Sequence, residues 1–104
     1  MSDLFSIRFD ADSQAYNVSG ELTLATAKAV LSESTRLFDN AARLDIDLAN
    51  VTRADSAGLA LLVAWMRQAR VGNKPIQFQH VPSQMLAIAK ASGLDDILPV
   101  KQQT

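Results

Sequence analysis

Ser56 is the residue of this sequence best placed to do chemistry. It stands in Ala54-Asp55-Ser56-Ala57-Gly58, a turn of small and polar residues between a segment of period two and a strongly apolar run. A serine at the first turn of a helix offers its hydroxyl to unpaired backbone N–H groups and to the positive end of the helix dipole. The position suits a nucleophile, a phosphoryl group or a docking contact. The nucleophile elbow of serine hydrolases, G-x-S-x-G between strand and helix, is matched at Ser56 and Gly58 but not at Ala54. Such hydrolases also need an acid and then a histidine downstream. The only histidine is His80, and no Asp or Glu lies between it and Ser56. The triad order fails, so no catalytic residue is assigned. Two readings of Ser56 stay open from the residues alone: a hydroxyl that satisfies the first helical turn, or a docking and regulatory position.

Other candidate chemistry is thinner. Asp45 and Asp47 project from one side of an alternating segment, but a metal ion needs more oxygen or nitrogen ligands than two carboxylates supply. No third carboxylate or histidine stands beside them, so no metal site is expected. The four glycines form neither G-x-x-x-x-G-K-[ST] nor G-x-G-x-x-G, which leaves no recognisable cradle for nucleotide phosphates and no cofactor. The absence of cysteine removes disulfides, thiolate nucleophiles and cysteine-held metals. Ten basic residues against eleven acidic ones, with no basic cluster interleaved with aromatics, argue against nucleic acid as a partner. Arg67, Arg70 and Lys74 make a small positive patch that suits the negative end of a helix dipole.

These residues need elements to position them. Phe5, Ile7 and Phe9 alternate with Ser6 and Arg8, and Ala15 to Ser19 alternates again, so two antiparallel strands with a turn at Ala11 to Ser13 are expected. Ala27, Val30, Leu31, Ser34, Leu37 and Phe38 then share one side of a helix that Thr23 can cap and Asp39-Asn40 ends. Leu44, Ile46 and Leu48 mark a third strand. From Gly58 to Met66 every residue is apolar, with one stripe through Leu59, Leu62, Val63 and Met66 and a second through Leu61, Ala64 and Trp65. One stripe suffices to bury a helix, so the second must meet another element or a partner, and Trp65 is the residue expected to reach outward. Gly72-Asn73 closes this helix, and Ile76 to His80 forms a fourth strand. Pro82-Ser83 opens a last helix with Met85, Leu86, Ile88 and Ala89 inward. Gly93-Leu94 has the form of a left-handed C-cap.

The 104 residues suit one domain spanning 1–104, with an ordered core of about 4–100 and a polar tail at 101–104. Strands alternating with helices imply an α/β fold, a mixed, mostly parallel sheet of about four strands with helices on one face, in the order ββαβαβα. No leader-like start and no run of roughly 20 apolar residues is present. The Asn17-Val18-Ser19 and Asn50-Val51-Thr52 sequons are therefore read as chance, and a cytoplasmic location is expected.

Gly20-Glu21-Leu22 before the first helix, Ile46-Asp47-Leu48 on the third strand and Asp55-Ser56-Ala57-Gly58-Leu59 leading the second helix resemble the STAS family, the domains of sulfate transporters and anti-sigma factor antagonists. The resemblance covers roughly Ile7 to Leu98. In the antagonists the matching motif is D-S-S-G, and its first serine, phosphorylated by a partner kinase, corresponds to Ser56. Ala57 replaces the second serine, and Thr23 replaces the aspartate usual after Gly-Glu-Leu. The segment Val51 to Leu62, with Gly58-Leu59-Ala60-Leu61-Leu62 behind the hydroxyl, and the ending Leu98-Pro99 are similar to the free-standing STAS subunit of an ABC phospholipid transporter that maintains outer-membrane lipid asymmetry. That similarity implies a non-catalytic subunit, peripheral to the inner membrane, that binds the ATPase and through it the permease, without inserting into the membrane. The implied contact is Asp55, Ser56, Ala57, Gly58, Leu59 and Trp65. A serine kinase is the partner only if the chain is instead an anti-sigma factor antagonist switched at Ser56. A STAS domain that binds a small molecule or nucleotide is a third possibility.

Overall fold

A computed structural model describes residues 4–101. The elements follow the order β1 (Phe5–Asp10), β2 (Ala15–Leu22), α1 (Ala27–Phe38), β3 (Leu44–Ala54), α2 (Ser56–Val71), β4 (Ile76–Gln79) and α3 (Ser83–Ala91). The four strands lie in sequence order, β1-β2-β3-β4. β1 pairs antiparallel with β2, while β2 with β3 and β3 with β4 are parallel. The expected mixed, mostly parallel sheet is thus observed.

The sheet's two faces follow from its period-two pattern. Leu44, Ile46 and Leu48 of β3 are buried in one cluster with Val30 and Phe38 of α1, Leu62 and Trp65 of α2, and Met85 and Ala89 of α3. All three helices therefore cover the same face. The opposite face carries Asp45 and Asp47. Asp45 pairs with Arg43 at 2.8 Å, and an Asp47 carboxylate oxygen meets both the Ala49 N–H and His80 Nδ1 at 2.9 Å. These partners account for both aspartates as local surface ties.

The elements differ from the sequence expectations where tertiary contacts outweigh local pattern. β2 continues through Gly20-Glu21-Leu22, and β3 runs on to Ala54, because Ser19 to Leu22 pair with Asn50 to Ala54, with one register shift just before Ser19 and another between Gly20 and Glu21. The polar stretch Asn50 to Arg53 shows no alternation, so only the pairing reveals it as strand. Thr23 does not cap α1. Its own N–H donates to the Thr26 hydroxyl at 3.0 Å, and that hydroxyl donates to the Glu21 carbonyl, so the turn before α1 is tied to the end of β2. In α3 the inward stripe is Met85 and Ala89, whereas Leu86 stands on an exposed flank.

The exits of α2 and α3 match left-handed caps. Gly93, at φ 72°, donates to Lys90 O, and Leu94 donates to Ala89 O. At the end of α2 the residue in the left-handed region is Asn73 rather than Gly72, with Lys74 N–H closing onto Ala69 O at 2.8 Å. Lys74 Nζ then caps α1 through the carbonyls of Phe38 and Asp39. Of the expected polar tail, only Lys101 falls within the described residues.

Candidate functional site

The turn at Asp55 to Gly58 sits where β3 ends and α2 begins, against the last residue of β2. Gly58 makes this approach possible: a Cβ there would lie 2.4 Å from the Leu22 carbonyl oxygen. Asp55 N–H donates to the same carbonyl at 3.3 Å. The start of α2 is thereby fixed to the sheet by backbone contacts.

Asp55, not Ser56, satisfies the first turn. One carboxylate oxygen accepts from Ala57 N–H at 2.9 Å and from Gly58 N–H at 3.4 Å, and the other accepts from Leu24 N–H at 3.1 Å. The Leu24 N–H is the main cause holding the Asp55 carboxyl below its ordinary range, with the two helical N–H groups and the Arg53 charge adding to it against partial desolvation. Aspartate before a helix is a standard N-cap signal, and this role was readable from the sequence. Reading the Ser56 hydroxyl as the group that caps the turn is therefore incorrect. Ser56 occupies the first helical position and is exposed, and its hydroxyl makes no hydrogen bond among the described residues.

Two shallow apolar grooves flank this turn. One, about 400 Å³, lies between α2 and α3 and is lined at its upper end by Ser56, Leu59 and Ala60 and across from them by Ile88 and Leu94. The other, about 330 Å³, lies between α1 and α2, with Ala57, Ala60 and Ala64 facing Ala27 and Leu31. Ala60 and Ala64 border both, so the outward side of α2 is a low ridge of small residues between two apolar troughs. Leu24 stands 81% exposed beside it, tethered through its N–H to Asp55. Leu24 is absent from the sequence expectations, and Leu31, expected on the inward side of α1, is 39% exposed. Leu24 lies in an irregular loop with no period to read.

Trp65 does not belong to this surface. It is 0% exposed, with its ring 5.7 Å from Phe38 and 6.5 Å from Phe78, and its indole N–H donates to the Ser34 hydroxyl at 2.7 Å. Of the second apolar stripe of α2, Leu61 and Trp65 are buried, with Trp65 packed against Phe38 of α1, while Ala64 stays at the rim of both grooves. Leu59 is 4% exposed and forms groove floor rather than crest. The structure thus brings Ser56, Ala57 and Ala60 to the outside, places Asp55 and Gly58 beneath as supports, and withdraws Trp65.

The model of a domain family described as MlaB, STAS domain, matches residues 5–99. Among solved structures, a Thermotoga maritima protein assigned as an anti-sigma factor antagonist superposes with a TM-score of 0.74 at 14% identity, over 97% of this chain and 88% of that one. An anti-sigma factor antagonist from Mycobacterium paratuberculosis gives 0.73 at 24% identity, over 95% and 85%. The Bacillus cell fate determinant SpoIIAA in its phosphorylated form gives 0.64 at 17%, over 95% and 92%. These likenesses establish a shared fold. No curated protein matches the sequence significantly.

Proposed function

The chain belongs to the STAS domain family of MlaB type, and from that premise we propose that it is a non-catalytic accessory subunit of an ABC phospholipid transporter. It binds the ATPase subunit through the start of α2, supports assembly and activity of the complex, and meets the permease only through the ATPase. Its place is the cytoplasmic side of the inner membrane; no helix among the described residues is long and apolar enough to cross a membrane. The observation that carries this reading is an exposed, uncommitted Ser56 hydroxyl on a slim ridge between two apolar grooves. Small side chains let a partner backbone approach, and the grooves supply apolar area worth ~25 cal/mol per Å² once covered.

A charge at Ser56 would enter that contact without a compensating partner. Ser56→Asp is expected to reduce copurification of the ATPase at least tenfold. The variant should still fold, because an acidic residue in the first turn of a helix is favourable by ~0.3–1 kcal/mol. Undiminished copurification by a folded Ser56→Asp protein overturns the proposal.

One second reading has a specific observation in its favour: the same free hydroxyl is what a kinase would need, and the STAS fold is shared with SpoIIAA in a phosphorylated form. Under that reading the chain is an anti-sigma factor antagonist. Ala57 and Thr23, in place of the family's serine and aspartate, speak against it. Intact-mass measurement decides between them: stoichiometric phosphate on Ser56, with a serine kinase in the pulldown, favours the switch, whereas an unmodified chain bringing down an ABC ATPase favours the transporter subunit.

A further inference from the structure

The grooves beside α2 are lined mainly by apolar residues, and every charged side chain that lines them is a cation: Lys28 toward α1, Arg67 toward α3, and Arg67 with Arg70 near the end of the chain. The third groove, about 450 Å³, is formed by Val63, Met66, Arg67, Arg70 and Ile97. Its two arginines lie three residues, about one turn, apart on α2, and neither makes an ion pair or hydrogen bond among the described residues. Other cations are committed: Arg36 to Glu33, Arg43 to Asp45, and Lys74 to the end of α1. Asp95 and Asp96 precede Ile97 but form no ion pair with either arginine. Complementing the helix dipole explains only Arg70, in the last turn; Arg67 lies a turn earlier, where that effect has faded.

Val63 and Arg67 border both this groove and the one between α2 and α3, so the two join end to end. The trough runs beside α2 from Ser56 to Arg70, fourteen residues on, or about 21 Å at ~1.5 Å per residue. It is apolar at the Ser56 end and cationic at the Arg70 end. We propose that this trough seats an amphipathic helix of the ATPase subunit. Its apolar stripe lies on Leu59, Val63 and Ile88, and two carboxylates one turn apart bond to Arg67 and Arg70. Arginine, with its planar fork, suits bidentate pairing with a carboxylate better than lysine does, and a helix in an apolar groove is a recurrent docking mode. The inference rests on the ATPase-docking reading and adds the partner's chemistry to it.

The test measures binding of the full chain to the purified ATPase across a series of salt concentrations. Variants are Arg67→Glu/Arg70→Glu, Arg67→Lys/Arg70→Lys and, as a distant control, Arg36→Glu, each checked for folding by circular dichroism. Charge reversal should weaken binding at least tenfold and flatten its salt dependence. The lysine pair should lose two- to fivefold, and Arg36→Glu should behave as wild type. Wild-type binding that charge reversal changes less than twofold, with the same salt dependence, overturns the inference alone. A wild-type chain that does not bind the ATPase overturns the docking reading and the inference together. Sedimentation with vesicles of equal phosphatidylglycerol and phosphatidylcholine, abolished by charge reversal while ATPase affinity stays unchanged, assigns the arginines to a lipid surface and also overturns it.

Discussion

At the scale of single residues, the site separates support from contact. Asp55 is the support: three backbone N–H groups converge on its carboxylate, two from α2 and one from the loop bearing Leu24. Because these bonds favour the charged form, its folded-state pKa lies below that of the unfolded chain. A depressed carboxylate stabilises the fold fully above the unfolded value of about 3.9, and that contribution fades as pH falls through the lower folded value. Asp55→Asn keeps an oxygen acceptor for one end of the network but cannot titrate. The melting temperature of wild type should therefore exceed that of Asp55→Asn by a constant margin from pH 7 down to about 5, and the margin should shrink below about pH 4. Comparing the two proteins at each pH cancels the other carboxylates. A margin independent of pH would mean that the charge on Asp55 contributes nothing. Ser56, by contrast, is free to be spent on a partner, since the cap does not use it.

At the scale of elements, the apolar run of α2 was legible as a helix and misleading as a surface. Its two stripes could be counted from Leu59 to Met66, but nothing local to that run says that Ser34, on a helix 31 residues earlier, holds the Trp65 indole. The same limit hid the second half of β3, where only pairing with β2 marks Asn50 to Ala54 as strand. What local chemistry determines was readable: the Gly93-Leu94 clasp, the antiparallel start and the placing of the polar turn before α2. The Ser34–Trp65 bond predicts how α1 and α2 are coupled. Ser34→Ala leaves a buried indole N–H unpaired, at a cost of about 1–3 kcal/mol. Trp65→Phe removes the donor while Ser34 keeps its own bond to Leu31 O, and its cost is the lost packing. The double variant should be less destabilised than the sum of the singles, by about 0.5–3 kcal/mol of coupling. Denaturant unfolding followed by circular dichroism measures this, and strict additivity would show that the bond contributes no net stability.

At the scale of the molecule, the sheet has unequal edges, and they bear on how the docking face stays presented. Within the described residues β1 has β2 as its only strand neighbour, whereas the chain returns after α3 to cover β4. Phe78 N–H donates to Pro99 O at 2.8 Å, Lys101 N–H donates to Phe78 O at 2.8 Å, and Val100 bridges Phe78 in parallel. Residues 95–100 carry no strand pattern in the sequence, because a single added bridge leaves no periodicity. Phe78 is fully buried and its ring faces Trp65, so loosening β4 also loosens the packing beneath α2. A chain ending at Leu98 loses both hydrogen bonds and the bridge; a chain ending at Lys101 keeps them and serves as the reference. At ~0.5–1.5 kcal/mol net for each bond, the shorter chain should be less stable by about 1–3 kcal/mol. For a domain of this size that lowers the thermal midpoint by roughly 4–24 °C. It should also bare the β4 edge, so size-exclusion profiles at rising concentration should show self-association that the reference lacks. Its lone tryptophan, Trp65, reports the loosening directly, because emission should shift to the red before unfolding begins. Equal midpoints for the two chains would mean that the returning segment covers β4 without stabilising it, and that the support of α2 ends at the strand itself.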